Sequence, residues 1–382
     1  MKEVLLHIGT HKTGSTTIQH AMKGYDDGVT RSARFEHSNH SIPMFTIFSK
    51  QRNSYHVWRN QGLTAVQVEE RRKSYLAQLR SDLADESRDR LIISGEDMTS
   101  LQPEDIHDML DFIAAEGVAI KALVYVRSPT SMVASSVQQR IKSGHLLEKF
   151  QVNYRRKIEP YVESLSKEAV EVRDFDTLVA TGKDLVEDFS EVAGIKLTSV
   201  PALNESLSLP GLALTLRLNR IPLHFMGNKA RYAARRRIAT KIANAFSPKK
   251  GYAKVPKEIF HYLIDPNARE DCDWLNQTFG TEYNSPPVDG SVPTAEIELD
   301  ASLDGLRIEI ERMFTDFGVA YDSKRSLEEN FLETLVTLLE RQKTTIDFDP
   351  QRYLALNPDV AAAKVNPYEH FLKNGLRKGR KY

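Results

Sequence analysis

The fold of this chain is decided by the stretch Val4-Leu5-Leu6-His7-Ile8-Gly9-Thr10-His11-Lys12-Thr13-Gly14-Ser15-Thr16-Thr17-Ile18-Gln19. Its apolar start predicts a buried strand, and the polar residues that follow predict a turn into a helix. Gly9 and Gly14 have the spacing of the two glycines in a phosphate-binding loop, G-x-x-x-x-G. A loop that binds ATP or GTP continues with Lys and then Ser or Thr, whereas this chain has Ser15 and Thr16 there and carries its lysine earlier, at Lys12. The stretch therefore predicts an anion-binding loop of another kind.

A loop of this shape is suited to bind an anion. After a strand that ends at Gly9, the turn into the helix brings several unpaired backbone amides to one place, where the helix dipole also favours negative charge. The hydroxyls of Ser15, Thr16 and Thr17 add hydrogen-bond donors, and Lys12 adds a full positive charge. The alternative is an ordinary glycine-containing turn with an exposed lysine.

Composition limits the classes of function. The chain has 382 residues, of which 41% are hydrophobic and 27% are charged, so it is long enough for one large α/β domain with an accessory part. Lys+Arg and Asp+Glu both number 52, which leaves no overall charge excess that would favour nucleic acid or a membrane surface. Anion binding must therefore come from a local arrangement of residues, and we predict no nucleic-acid partner.

Cysteine usage and hydropathy indicate where the protein resides. Cys272 is the only cysteine, which excludes an intrachain disulfide and a zinc site with several cysteines. This usage suits a reducing compartment, so we predict a cytoplasmic protein. No run of about 18 apolar residues occurs, so we also predict no transmembrane segment.

Short apolar runs alternate with segments of helical periodicity. The runs occupy residues 4–6, 91–93, 119–126 and 169–172, and helices are predicted at residues 13–22, 66–85, 103–116, 128–148, 183–192, 209–218 and 231–245. This alternation predicts an α/β fold, a three-layer sandwich with a central parallel sheet. Because the Pro- and Gly-rich stretch at 285–293 predicts an exposed connection, we expect a main domain at 1–285, a linker with accessory helices at 286–345 and a small helical C-terminal module at 346–382.

The loop has a resemblance to a known family. The string Lys12-Thr13-Gly14-Ser15-Thr16-Thr17 resembles the 5′-phosphosulfate loop of sulfotransferases, enzymes that use 3′-phosphoadenosine 5′-phosphosulfate (PAPS). The resemblance implies a P-loop-like sulfotransferase fold for residues 1–285. It also implies that PAPS is the donor, that adenosine 3′,5′-bisphosphate (PAP) is the product, and that the six residues of this string bind the donor.

A second match to the same family is independent of the loop. The apolar run at residues 119–126 ends at Arg127, and Ser135 follows eight positions later. Sulfotransferases carry such an arginine and serine, which hold the 3′-phosphate of PAPS, so the resemblance implies this role for Arg127 and Ser135. Guanidinium is a forked, permanently charged partner for phosphate. Considered alone, Arg127 is equally compatible with a strand-end salt bridge, and Ser135 with a solvated helix position.

Glu96 is the candidate general base. The apolar run at residues 91–93 leads into Ser94-Gly95-Glu96-Asp97, and ligands of parallel sheets lie beyond the carboxyl ends of the strands. A glutamate is the base in the heparan-type branch of the family, so the resemblance implies that Glu96 takes the proton of an acceptor hydroxyl. Asp97 is its alternative, and His56 is a reserve base because the cytosolic branch uses a histidine. An acidic helix cap is the structural alternative for Glu96.

Together these residues predict a sulfotransferase that moves a sulfuryl group from PAPS to a hydroxyl by in-line displacement. Lys12 would stabilise the leaving phosphate, and we predict no metal ion because a sulfuryl group carries fewer charges than a γ-phosphoryl group. Two alternatives remain open. One is a P-loop kinase or NTPase with Glu96 or Asp97 holding the metal, which the missing lysine at position 15 disfavours. The other is a non-catalytic carbohydrate-associated binding protein.

The acceptor is predicted to be a carbohydrate or glycolipid. Residues 32–72 are expected to shape its cleft, and Trp58 in this stretch offers a face for stacking on a sugar. Residues 348–380 resemble a short helical module of bacterial glycosyltransferases and related carbohydrate-modifying enzymes, which implies a bacterial protein that acts on glycans; a small capping helix pair is the alternative. The basic segment at 231–237 either borders a polyanionic acceptor or is a solvated helix face.

Overall fold

A parallel sheet forms the centre of the fold. The computed structural model describes residues 1–199, 206–221, 228–284, 286, 291–342, 348–375 and 380–381. In this part of the chain the sheet contains β1 (Glu3–His7), β2 (Thr30–Ser32), β3 (Arg90–Ser94), β4 (Ala119–Val126) and β5 (Val170–Asp174). Their order is β2-β3-β1-β4-β5, all parallel, so the strand before the predicted loop is central. Helices flank the sheet, and the predicted α/β class with a central parallel sheet is confirmed.

The first helices of the chain connect these strands or follow the last of them. They are α1 (Ser15–Ala21), α2 (Ser41–Phe48), α3 (His56–Gln61), α4 (Ala65–Leu83), α5 (Pro103–Ala114), α6 (Pro129–Lys142), α7 (Tyr154–Leu165), α8 (Phe175–Thr181) and α9 (Leu185–Ala193), with short 3₁₀ segments at Arg52–Ser54, Glu96–Ser100 and Lys167–Ala169. On one face of the sheet, Leu5 and Leu123 pack with Ile18 of α1 and Phe189 of α9. This packing fixes α1, and with it the loop before α1, against the sheet.

β1 is apolar along its length because both of its faces are covered. Val4 and Leu6 are fully buried, and Leu5 is 6% exposed. Parallel strands buried on both faces have continuous apolar runs rather than alternating ones. Leu5 lies opposite Ile92 of β3 and Lys121 of β4. The central position of β1 therefore follows from the same apolar run that predicted the strand.

β2 was not among the predicted strands because its residues are polar. Arg31 of β2 is only 2% exposed. Its Nη1 donates to Asp82 Oδ1 at 2.9 Å and its Nη2 to the backbone carbonyl of Asp82 at 3.0 Å, within α4. A buried guanidinium needs a charged partner of this kind, because an unpaired buried charge is strongly destabilising. The strand thus depends on a partner on α4, which hydrophobic periodicity does not show.

The chain divides into two compact units. The first consists of Met1–Ser136, Gln151–Asn204 and Ile264–Val288, and it contains the sheet. The second consists of Val137–Phe150, Glu205–Leu263 and Asp289–Tyr382. The later helices are α10 (Leu209–Asn219), α11 (Asn228–Ala245), α12 (Lys257–His261), α13 (Ala268–Phe279), α14 (Val292–Ala301), α15 (Arg307–Thr315), α16 (Leu327–Gln342), α17 (Pro350–Leu356), α18 (Pro358–Ala362) and α19 (Pro367–His370), with a 3₁₀ segment at Pro248–Lys250 and a π turn at Phe371–Gly375. Of these helices, α13 belongs to the first unit.

One apolar cluster lies within the second unit. The last helices contribute Tyr353, Val360 and Phe371, each at most 2% exposed, to the cluster that also contains Phe314 of α15 and Phe331 of α16. The terminal helices therefore share a core with the helices that precede them. The domain boundaries predicted at residues 285 and 345 are not tested by this division into two compact units, so they stay a prediction. Most of the connection at 285–293 lies outside the described residues.

Within the described ranges, no helix combines the length and the apolar character that crossing a bilayer requires.

Candidate functional site

Three polar segments follow neighbouring strands of the first unit. β1 leads into residues 8–14, which we call the glycine loop, β3 leads into Gly95-Glu96-Asp97, and β4 leads into Arg127-Ser128. Because β3 and β4 lie on either side of β1 and all three are parallel, these segments meet at the carboxyl edge of the sheet. This edge is the candidate functional site.

The glycine loop requires both of its glycines. A Cβ at Gly9 would collide with the Ser15 hydroxyl, which packs against the backbone there. Gly14 has a left-handed φ of 77°, and a Cβ at this position would collide with Leu185 of α9. The spacing of the two glycines is therefore set by close packing of the loop on the start of α1 and on α9.

Two buried threonines fix the shape of the loop. Thr10 donates from its hydroxyl to the backbone carbonyl of Tyr125 in β4 at 2.7 Å, and Thr13 donates to the carbonyl of Thr10 at 2.7 Å. The hydroxyl proton of Thr13 is thus used within the loop. Thr13 therefore contributes to an anion site through the shape of the backbone rather than through its hydroxyl proton.

Unpaired donors lie at the start of α1. Within the described chain, the backbone amides of Gly14, Ser15 and Thr16 donate to no other backbone group, as is typical of the first turn of a helix. The Ser15 hydroxyl is buried and has no hydrogen-bond partner among the described residues. The side chain of Thr16 is exposed, and that of Thr17 is partly buried. Since buried polar groups in proteins nearly always have a partner, this set of donors fits an oxyanion.

Lys12 has an unusual backbone conformation. Its φ is 72°, in the left-handed region that costs a residue other than glycine on the order of 1–2 kcal/mol. Arg127 Nη1 donates to the Lys12 carbonyl at 3.1 Å, which helps to hold this conformation. Partial burial lowers the pKa of the Lys12 ammonium from its usual value, the charge of Glu96 opposes this shift, and the charge of Arg127 adds to it. Lys12 therefore lies within electrostatic reach of both residues.

Arg127 is held by several contacts. Its Nε donates to Asp176 Oδ1 at 3.2 Å, and its guanidinium lies 5.0 Å from the centre of the Phe175 ring. Asp176 Oδ2 also accepts from the amide of Ser128 at 2.9 Å and from its hydroxyl at 2.6 Å. Burial alone would raise the pKa of Asp176, but the bonds from Ser128 and the charge of Arg127 bring this pKa below its usual value. The strand-end salt bridge considered from the sequence is present, and the same arginine reaches the glycine loop.

Glu96 and Asp97 flank the imidazole of His11, a residue of the glycine loop. His11 Nδ1 lies 3.7 Å from Glu96 Oε2, and His11 Nε2 lies 3.7 Å from Asp97 Oδ1. Tyr55 donates from its hydroxyl to Asp97 Oδ2 at 2.6 Å. Burial and the nearby charge of Asp97 raise the pKa of the Tyr55 phenol. Because Asp97 is engaged by Tyr55, Glu96 is the acid that is more available to a ligand.

The contacts of His11 and Tyr55 were not predicted. His11 and Glu96 lie far apart in the chain, and no spacing links them. The signal that could have linked them is the pairing of β1 with β3, because neighbouring parallel strands bring the residues after them together. Asp176 was also missed as a site residue, although it lies two positions after the end of β5.

The sequence analysis also named Ser135, His56 and Trp58. Ser135 is partly buried in the second turn of α6. His56 is exposed, and its ring centre lies 4.7 Å from that of Tyr55. Trp58 is 1% exposed, and its Nε1 donates to the Thr46 hydroxyl at 3.0 Å. The prediction that Trp58 stacks on a sugar is therefore wrong, because its ring is part of the core.

Two buried histidines lie next to Ser94 at the end of β3. Burial lowers the pKa of His7 to about 4 and that of His40 to about 4. His7 Nδ1 shares a hydrogen bond with the Ser94 hydroxyl at 2.7 Å, and His40 Nδ1 accepts from the Ser94 amide at 3.0 Å. Both rings are neutral at pH 7. Positive charge at this edge of the sheet therefore comes from Lys12 and Arg127 rather than from these histidines.

Among the residues that the structure describes, no group of three or more His, Cys, Asp or Glu side chains is arranged to hold a metal ion. The absence of a metal from the reaction stays a prediction.

The fold and the site define an α/β protein that has a glycine loop and two cations at the carboxyl edge of a parallel sheet. The sequence matches no protein-family model and no curated protein. Among solved structures, the crystal structure of a sulfotransferase from Alicyclobacillus acidocaldarius is similar over 57% of this chain and 90% of that chain, with 12% identity and a TM-score of 0.36.

Proposed function

We propose that this chain is a sulfotransferase that uses PAPS as its donor. The observation that carries the proposal is the grouping of Lys12, Arg127 and Glu96 at the glycine loop. Arg127 bonds to the Lys12 carbonyl at 3.1 Å, and the charge of Glu96 acts on the Lys12 ammonium. Two cations and a carboxylate beside unpaired amides suit a reaction in which an anionic donor meets a hydroxyl that has to lose its proton.

The loop residues fit the 5′-phosphosulfate of PAPS. The unpaired amides of Gly14, Ser15 and Thr16, the buried Ser15 hydroxyl, and the hydroxyls of Thr16 and Thr17 would bind its oxygens. Lys12 supplies the positive charge at the same loop. A kinase or NTPase loop would instead place a lysine at position 15, so the position of the cation favours sulfuryl over phosphoryl transfer.

Arg127 and Ser135 are the proposed partners of the 3′-phosphate. Nε and Nη1 of Arg127 bind Asp176 and the Lys12 carbonyl, and in the described chain its Nη2 donates to no protein group. Guanidinium donors of this kind bind phosphate with defined geometry. Arg127 would thereby connect the 3′-phosphate to the backbone of Lys12, the residue that acts on the other end of the donor.

Each proposed catalytic group has one task. When bound, PAPS supplies an activated sulfuryl group. Glu96 takes the proton of the acceptor hydroxyl while its oxygen attacks sulfur in line, and Lys12 stabilises the negative charge that develops on the leaving phosphate oxygen. His11, between Glu96 and Asp97, positions Glu96 beside the loop. Most of the acceleration is then due to alignment and preorganised charge.

The proposed acceptor is a hydroxyl of a carbohydrate or glycolipid. Support for it is the resemblance of residues 348–380 to a module of bacterial carbohydrate-modifying enzymes, which also supports a bacterial origin. Because the Trp58 ring is buried, it gives no support to a carbohydrate acceptor. A cytoplasmic location remains part of the proposal. Incubation with sulfur-labelled PAPS and candidate glycans, followed by recovery of label in the glycan, tests the acceptor.

Thermal-shift titration of the whole chain tests the donor. PAP should raise the melting temperature in the presence of EDTA, because ligands that bind only the folded state stabilise it. Arg127→Gln should weaken this effect, whereas Arg352→Gln, which alters an exposed arginine, should not. Stabilisation by Mg-ATP but not by PAP would contradict the proposal and favour a kinase or NTPase. Stabilisation by neither would favour a binding protein.

A further inference from the structure

Residues 206–257 differ in charge from the rest of the chain. These 52 positions contain twelve lysines and arginines and neither aspartate nor glutamate. At the average of the whole chain, 52 acidic residues in 382, a stretch of this length would hold about seven. The positive charge is therefore concentrated in the second unit, although the chain as a whole is neutral.

Part of this charge is used within the fold. Three of the basic residues pair with acidic residues from helices later in the chain or from the segments next to them. These pairs are Arg217 with Asp300 and Glu328, Arg220 with Glu296, and Lys241 with Asp316. Such residues belong to the structure and are not available to a partner.

Arg235 also has a structural role. It is 7% exposed, and its guanidinium donates to the carbonyls of Ile141 at 2.7 Å and Lys142 at 2.8 Å, at the end of α6. Cations stabilise the carbonyl end of a helix. Gly144 then reverses the chain with a φ of 102°. These contacts explain why α6 ends at Lys142 and does not continue to the predicted residue 148.

Four other cations lie at the surface. Arg236 and Arg237 belong to an exposed stripe of α11 that also contains Ala233, Thr240 and Asn244, with the spacing of one helix face. Lys250 and Lys254 follow the end of this helix and are exposed. None of the four cations has a hydrogen-bond or ion-pair partner in the described part of the chain. We call these four residues the basic surface.

The backbone that carries the lysines of the basic surface is ordered by its own contacts. Ser208 donates from its hydroxyl to the carbonyl of Phe246 at 2.5 Å, and Leu209 donates from its amide to the carbonyl of Ala253 at 2.8 Å. Gly251, with a φ of 90°, turns the chain back toward α10. A fixed backbone reduces the entropy that is lost when the lysines bind a partner.

We infer that the basic surface binds an acidic polysaccharide, a polymer that carries carboxylate or sulfate groups. Forked guanidinium groups on the stripe and ammonium groups beyond its end are suited to such anions. Arg236 lies about 14 Å along the axis from the helix end at Ala245, and Lys250 and Lys254 follow that end in the chain, so the four charges are not gathered at one point. The inference goes beyond sulfuryl transfer and does not depend on it.

Two other anionic partners fit the basic surface less well. Proteins that bind lipid surfaces combine basic residues with exposed apolar side chains, and the large exposed apolar side chains of the described chain all lie outside residues 206–263. Single-stranded nucleic acid is bound on exposed aromatic rings. Tyr252, between the two lysines, is instead partly buried, with its ring centre 5.2 Å from that of Phe246.

Binding to alginate, a polymer of uronic acids, tests the inference with the whole chain. Calorimetric titration should show binding that weakens as salt is added, because exposed charges are screened. Neutral dextran should not bind. The variant Arg236→Gln/Arg237→Gln/Lys250→Gln/Lys254→Gln should lose at least about tenfold in affinity for alginate. Its affinity should also depend less steeply on salt concentration.

A second variant provides the matched control. Lys23→Gln/Lys73→Gln/Lys167→Gln/Lys196→Gln removes the same charge from exposed positions of the first unit and should leave alginate affinity within about twofold. The inference is overturned if alginate does not bind, if dextran binds equally, or if both variants lose the same affinity. Tighter binding of a single-stranded oligonucleotide or of anionic phospholipid vesicles would overturn it in favour of that partner. If the wild-type chain binds alginate but does not bind PAP, the proposed function is contradicted and this inference remains.

Discussion

The glycine loop and the apolar cluster of the second unit are stabilised in different ways. The loop is held by individual polar contacts, such as the bond from the Thr10 hydroxyl to the carbonyl of Tyr125. The cluster is held by buried rings, such as Phe314 and Phe331, whose centres are 5.0 Å apart. A polar contact contributes about 1 kcal/mol net, whereas a buried aromatic ring contributes several. Substitutions at the loop should therefore change binding and rate, and substitutions in the cluster should change stability.

The largest effect is expected in the cluster. Phe314→Ala should lower the free energy of unfolding by about 3–5 kcal/mol, because the ring is fully buried and its removal leaves a cavity. Urea denaturation followed by circular dichroism measures this loss. Ile308→Ala on the same helix alters a side chain that is 67% exposed and should stay within about 0.5 kcal/mol of wild type. Equal losses in the two variants would show that burial does not stabilise the cluster.

At the loop, the expected effect is on the rate. Lys12→Ala should reduce sulfuryl transfer about 10²–10³-fold, because it removes the charge that stabilises the leaving group. Initial rates with PAPS measure this, and the free energy of unfolding should change by less than about 1 kcal/mol, since the side chain is only partly buried. Lys23→Ala, at an exposed position, is the control. Wild-type turnover in Lys12→Ala would exclude the proposed mechanism.

The stability that the Asp176 carboxylate contributes through its bond to Arg127 should depend on pH. The pKa of Asp176 is lowered in the folded state, so its carboxylate stabilises the fold above the unfolded pKa of about 3.9, and this stabilisation is lost as pH falls through the folded-state pKa. Asp176→Asn should therefore be less stable than wild type by about 1–2 kcal/mol near pH 7, and the two should converge at acid pH. Denaturation at several pH values measures the difference. Asp108→Asn, at an exposed position, should differ little from wild type in its free energy of unfolding. A difference between Asp176→Asn and wild type that grows at acid pH would contradict the proposed role of the Asp176 carboxylate.

The smallest expected effect concerns one hydrogen bond of the site, which is compared with a similar bond elsewhere in the first unit. Tyr55→Phe removes the bond to Asp97 and should cost about 1 kcal/mol of stability. Tyr75→Phe removes a comparable bond to Glu36, 2.7 Å long, and should cost about the same. Only Tyr55→Phe should also lower kcat, because Asp97 flanks His11 beside Glu96. If both variants keep wild-type kcat, Tyr55 acts in folding alone.

The part of the site that lies on one continuous stretch could be predicted from the sequence. The apolar run of β1, the two glycines and Lys12 are adjacent, and each has a local physical signature. The same holds for the end of β4 at Arg127. Burial of Val4 and Leu6 and the packing around Gly9 agree with those signatures.

Features that depend on contacts between distant residues could not be predicted. β2 is polar in sequence and is stabilised by the pairing of Arg31 with Asp82. The position of His11 between Glu96 and Asp97 arises only when β1 pairs with β3. Trp58 shows the converse, because an aromatic residue in a polar stretch gives no sign that its ring is buried against Thr46.

The terminal helices determine how far the chain can be shortened. Tyr353, Val360 and Phe371 are buried in the cluster of the second unit, and a side chain at Gly375 would collide with the Tyr353 hydroxyl. Proteolytic removal of everything after residue 345 would take these three side chains out of the cluster and leave part of its apolar surface facing water. Such a fragment is expected to self-associate, because large contiguous apolar surfaces that are exposed to water tend to bind one another.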